Sequence, residues 1–178
     1  MLPAAWSEGN VIGEVAEGWW ITPKSFMSSV GRINNYSISN SDVNKGSKSQ
    51  CLHSIFSNQI GAGQYLNAVP EGKKYQISIW AKAQFGVPAK VILVLLQQYP
   101  KTIVRINAAF TLLDTENWVR LKSGQVTPLP ITPAAGGVAQ VSFQFFLNTP
   151  NSKVCFDDAS FAEIVDGKQG YNHTVIIS

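Results

Sequence analysis

Apolar and polar residues alternate along most of this chain with a period of two, interrupted by short continuous apolar runs. No segment sustains the 3.6-residue period of a helix over a dozen positions. In YQISIWAKA, Tyr75, Ile77, Ile79 and Ala81 fall on one face, and Gln76, Ser78, Trp80 and Lys82 on the other. VSFQFFL repeats the pattern, which predicts Val141, Phe143, Phe145 and Leu147 facing inward and Ser142, Gln144 and Phe146 outward. By the same reasoning strands are expected over 50–57, 64–69, 75–83, 90–98, 102–112, 118–126, 138–147 and 153–164. VILVLLQQY, beginning at Val91, is far shorter than the roughly 20 apolar residues of a membrane span and reads as a buried strand.

Turn chemistry falls where these strands must end. Pro70-Glu71-Gly72, Gly86-Val87-Pro88 and the polar Asp114-Thr115-Glu116-Asn117 act as connectors, and PLPITPAAGG, residues 128–137, is a long loop. Residues 34–49, NNYSISNSDVNKGSKS, are so polar that the sequence places them on the surface. Short strands at regular spacing, without repeat or domain boundary, predict one all-β domain: a two-sheet antiparallel β-sandwich with its body at residues 24–164. Residues 1–23 read as an N-terminal arm and first strand, loaded with Trp6, Trp19 and Trp20. Residues 165–178 read as a C-terminal arm whose closing HTVIIS would pair well as an extra strand. Free ends fray unless tied down, and a neighbouring subunit or a second copy is one way to hold them.

At 178 residues the chain can bury a core without help from a metal or a disulfide. Its charged fraction is 14%, against about 25% in average soluble proteins, so Ser, Thr, Asn and Gln must cover the surface. The formal charge of +3 comes from scattered lysines and arginines, which excludes the concentrated basic stripe that tracks nucleic-acid phosphates. Cys51 and Cys155 permit one disulfide. A chain of this size does not need it, and free cysteine is among the most buried residue types, so buried thiols are the ordinary expectation. MLPAAWSEGN lacks the basic start and apolar stretch of a secretory signal, so a signal has been removed or none is used.

Two stretches carry a family resemblance. GQYLNAVPEGKKYQISIWAKA, residues 63–83, reads as strand, Pro/Gly turn and strand, and VCFDDASFAEI, residues 154–164, closes the domain. Together they resemble the signature stretches of jelly-roll carbohydrate-binding modules of the xylan- and β-glucan-binding kind. The resemblance implies a jelly roll that binds an oligo- or polysaccharide without catalysis. It also implies a structural calcium (Ca2+) held by a Glu near the N-terminus and an Asp in the last strand. Carried over, these are Glu8 in Trp6-Ser7-Glu8-Gly9 and Asp157 in Phe156-Asp157-Asp158, and hard carboxylate oxygens suit that ion. The first motif departs from the family, which has an aromatic directly before its Glu; here Ser7 intervenes and Glu17-Gly18-Trp19 competes.

A sugar needs a flat apolar ring for its CH face and amides or ammonium groups for its hydroxyls. Trp80, Lys82, Gln98, Tyr99 and Gln144 supply these, and the expectation is that they share one sheet face as a glycan groove. The competing expectation is that Trp80 packs under a loop or an arm.

Catalysis is not expected. Glycosidases need two carboxylates about 5 to 9 Å apart, and Asp157 and Asp158, adjacent on a strand, point to opposite faces. His53 and His173 have no zinc-like spacing, and neither a G-x-S-x-G elbow nor a phosphate loop occurs. His53 in CLHSIF reads as a half-buried structural residue. Two functions remain: an extracellular glycan-binding module, or a structural or decoration subunit of a bacteriophage head or tail that uses the same fold. The second would contact other virion subunits and host-surface sugars, and would need no signal because phages leave by lysis.

Overall fold

The structure is a computed structural model that describes residues 15, 19–22, 36–54, 60–66, 73–84, 87–98, 103–112, 117–125, 140–165 and 168–174. Among the described residues eleven strands follow in chain order: β1 (Trp20–Thr22), β2 (Tyr36–Ser39), β3 (Ser49–Ser54), β4 (Ile60–Leu66), β5 (Tyr75–Gln84), β6 (Ala89–Gln98), β7 (Ile103–Leu112), β8 (Val119–Lys122), β9 (Gln140–Leu147), β10 (Ser152–Val165) and β11 (Lys168–Thr174). No helix occurs among the described residues. One sheet has five strands in the order β1-β4-β9-β6-β7. The other has six, in the order β2-β3-β10-β5-β8 with β11 added beside β10. All the pairings are antiparallel.

Period-two patterning produces this architecture because one face of every long strand must leave water. Ile77, Ile79, Ala81, Val154, Phe156 and Phe161 from one sheet meet Ala62, Leu93, Leu95, Phe143, Phe145 and Leu147 from the other in a single core. Burying a side chain of this size stabilises by roughly 1.5–3 kcal/mol, so the alternation alone specifies which face turns inward. Phe145 on β9 meets Phe156 on β10 with ring centroids 4.3 Å apart, joining the two layers at the centre. Tyr36 joins them at one side: its hydroxyl, from β2, donates to the Gly61 carbonyl of β4 at 3.1 Å. Burial pushes the Tyr36 phenol far above its ordinary range, so it stays a protonated donor.

Three expectations change. The polar stretch 34–49 is not wholly at the surface, since it contains β2 and β3 begins at its end; Tyr36 is buried because it reaches between the sheets, and Ser49 is buried with its hydroxyl donating to the Asp42 carbonyl. The N-terminal segment, in its described residues, belongs to the chain's own sandwich: Val15 and Trp19 sit in the core and β1 pairs with β4. The cysteines are not free thiols. Cys51 and Cys155 face each other across β3 and β10, with their Cα atoms 3.9 Å apart, and form a disulfide. Strand register explains this, because directly opposed residues on neighbouring strands bring their β-carbons together without backbone movement.

Candidate functional site

The two sheets turn their outer faces in opposite directions, and this divides the residues expected to form one groove. Trp80 and Lys82 rise from β5 on the outer face of the six-stranded sheet, whereas Gln144 of β9 and Gln98 of β6 belong to the five-stranded sheet. They cannot share a sugar. Tyr99 and the Gln98 side chain lie outside the described residues. Ser142, Gln144 and Phe146 do point away from the core as alternation predicts, but all three are buried rather than open to solvent. Gln144 donates to Ser142 Oγ at 3.0 Å, so part of its hydrogen-bonding capacity is already engaged.

On the six-stranded outer face, polar side chains hold the chain's own loop. Lys82 Nζ pairs with Asp42 Oδ1 at 2.8 Å, and Gln84 Nε2 donates to Asp42 Oδ2 at 2.6 Å. The Lys82 ammonium, by hydrogen bond first and charge second, holds the Asp42 carboxyl below its usual range. Asp157 is 2% exposed; its Oδ2 accepts the backbone N–H groups of Asn44 and Lys45, each at 2.8 Å, and its Oδ1 accepts that of Asp158 at 2.7 Å. Residues 42–45 are thereby fastened over the disulfide, where Gln84 Nε2 also reaches Cys155 Sγ at 3.4 Å.

This arrangement bears on the expected calcium site. Among the described residues, the groups that meet the Asp157 carboxylate are backbone N–H donors rather than further oxygens, a donor set that does not suit calcium. Glu8 lies outside the described residues, and among those described no cluster of three or more His, Cys, Asp or Glu could hold a metal. The Asp42 and Asp157 carboxylates both use their oxygens to anchor this loop. His53 is half-buried, and burial followed by the Lys153 charge lowers its pKa.

The five-stranded outer face carries a feature that the reading of single residues missed. Trp19, just before β1, and Trp20, its first residue, point to opposite sides: Trp19 enters the core against Phe143 and Phe145, and Trp20 turns outward opposite Gly63. The indole lies across that glycine, where a Cβ would stand 2.7 Å from Trp20 Cζ2 and 2.9 Å from Gln144 Cγ. Tyr65, two residues along β4, stacks on the indole with centroids 4.3 Å apart and planes at 23°. Trp20 is 7% exposed but Tyr65 is 49% exposed, so glycine, indole and phenol form layers whose last ring opens to solvent. The available signal was GAGQY: glycines inside a strand mark a close approach by another group.

By its fold the chain is a jelly-roll β-sandwich of the carbohydrate-binding-module type. No family model matches the sequence, and no curated protein matches it. Solved structures do share the fold. The CBM22-1 xylan-binding domain from Paenibacillus barcinonensis superposes with a TM-score of 0.60 at 15% identity, covering 84% of this chain and 88% of that one. The C-terminal family 22 carbohydrate-binding module of a Clostridium thermocellum protein gives 0.56 at 17% identity, over 84% and 88%. A CBM4 structure gives 0.52 at 16% identity, over 83% and 95%.

Proposed function

We propose that this chain is a non-catalytic glycan-binding module whose sugar platform is Tyr65, backed by Trp20, on the outer face of the five-stranded sheet. The Gly63–Trp20–Tyr65 stack carries the reading. A half-exposed tyrosine held flat against a buried indole loses little rotamer freedom when a pyranose ring stacks on it. The ligand class is a neutral β-linked polysaccharide of the xylan or β-glucan kind, as the fold likeness and the apolar platform together favour. The disulfide favours work in an oxidising, extracellular setting. The bacteriophage alternative drew on arms held by neighbouring subunits; the described parts of both arms pair within this chain, at β1 and β11, and lend it no support.

Electrophoresis through gels containing soluble xylan or β-glucan tests the reading. Wild type and Trp80→Ala are retarded alike, whereas Tyr65→Ala migrates as in a sugar-free gel. Retardation of Tyr65→Ala equal to wild type would overturn the assignment.

A further inference from the structure

The opposite face carries a second set of groups that the sugar platform does not use. β8 lies beside β5 in a register that sets Arg120 opposite Trp80 and Lys122 opposite Ser78, all on the outer face of the six-stranded sheet. Trp80 and Arg120 are half-buried and Lys122 is exposed. Arg120 is only partly engaged: one terminal nitrogen donates to Ser78 Oγ at 3.1 Å, Nε is buried without a partner among the described residues, and the other terminal nitrogen is left to meet a ligand. Ser160 lies opposite Ser78 on its other side, and its buried Oγ is likewise unpartnered.

Charge on this face is unbalanced. Lys82, Arg120, Lys122 and Lys153 rise from it, against Asp42 and Asp157. Both acids are already engaged, Asp42 by Lys82 and Gln84 and Asp157 by three backbone amides. Arg120 and Lys122 therefore stand beside an indole with no carboxylate partner among the described residues.

We infer that this face is a second binding surface, separate from the Tyr65 platform, for an acidic polysaccharide whose sugars bear carboxylates. A uronate residue presents, on one ring, an apolar face for Trp80 and a planar anion for the guanidinium fork of Arg120, with Lys122 as a second cation within reach. Cross-strand neighbours stand about 5 Å apart, which is close enough for one sugar residue to touch both Trp80 and Arg120.

The test uses the full chain in gels containing polygalacturonate, dextran sulfate or neutral xylan, at low and moderate salt. Polygalacturonate retards the wild type at low salt. Arg120→Gln with Lys122→Gln weakens that retardation at least tenfold and leaves the xylan response unchanged, and Trp80→Ala weakens it as well. Because Lys122 is exposed, Lys122→Gln alone keeps the fold and gives a partial loss. The inference is overturned if polygalacturonate leaves the wild type unretarded, or if Lys122→Gln and the double variant bind it as the wild type does. It is also overturned if dextran sulfate and polygalacturonate respond alike with no effect of Trp80→Ala, which would mean unspecific attraction of polyanions.

Discussion

Replacing Gly63 by alanine puts one methyl group where the Trp20 indole lies. That carbon would stand 2.7 Å from Trp20 Cζ2, and 2.9 Å from both Trp20 Cε2 and Gln144 Cγ. Carbon atoms pack at about 3.5–4.0 Å, so the indole must lift by roughly 1 Å and carry Tyr65 with it. Overpacking of this kind costs about 1–3 kcal/mol, and a disturbed aromatic stack forfeits a further ~0.5–1.5 kcal/mol. With a urea slope of about 1–3 kcal/mol/M, the unfolding midpoint falls by on the order of 1 M. Tryptophan fluorescence follows the transition, near-UV circular dichroism reports the loss of the stack, and sugar affinity drops on the order of tenfold. Gly124→Ala is the control, because nothing lies within 4 Å of its added carbon, and it shifts stability by less than about 0.5 kcal/mol. Unchanged stability, spectra and affinity in Gly63→Ala would refute the layered arrangement.

Reducing the Cys51–Cys155 disulfide, or replacing both cysteines by serine, releases a loop of 104 residues' separation and destabilises by about 2–5 kcal/mol, read as a lower thermal midpoint. At this chain length the midpoint falls by roughly 5–20 °C, and an unchanged midpoint in reductant would contradict the bridge. Asp42 has a folded pKa below its unfolded value, so its contribution is present above the unfolded pKa of about 3.8 and lost as pH falls through the folded value. Asp42→Asn should therefore flatten the loss of stability between about pH 5 and pH 2, measured by urea midpoints across that range. Removing the Tyr36 hydroxyl in Tyr36→Phe leaves the Gly61 carbonyl without its side-chain donor and costs on the order of 1 kcal/mol by the same unfolding assay.

Most of the sandwich was legible in the sequence because alternation is a local property. Eight strands were read within a few residues of where they lie, from Ser49–Ser54 through Ser152–Val165. Of the short strands, β1 falls within residues 1–23, which read as an arm and first strand without exact bounds, and β2 lies unmarked inside the polar stretch 34–49. Three or four residues cannot display a period, and Tyr36 sits among serines and asparagines whose polarity hides its single inward ring. The site was less legible for a different reason. Alternation tells which residues point outward from one sheet, but not which sheet each strand joins, and the order β1-β4-β9-β6-β7 interleaves distant segments. Trp80 and Gln144 looked alike in pattern and stand on opposite sides. Lys82 looked available, yet Asp42 claims it across the 40-residue separation of the chain. Tyr65 is not marked out by the pattern, because alternation places that strand from Gln64 onward and leaves outside it Gly61 and Gly63, the reason for an aromatic to lie there.

Backbone amide shifts in the isotope-labelled full chain, followed during titration with a neutral xylo- or gluco-oligosaccharide, locate the sugar without any substitution. The account predicts that the largest perturbations gather at Gly61, Gly63, Tyr65, Ser142 and Gln144, with Ser78, Trp80 and Arg120 nearly still. Perturbations confined to Ser78, Trp80 and Arg120, or none at saturating sugar, would contradict it.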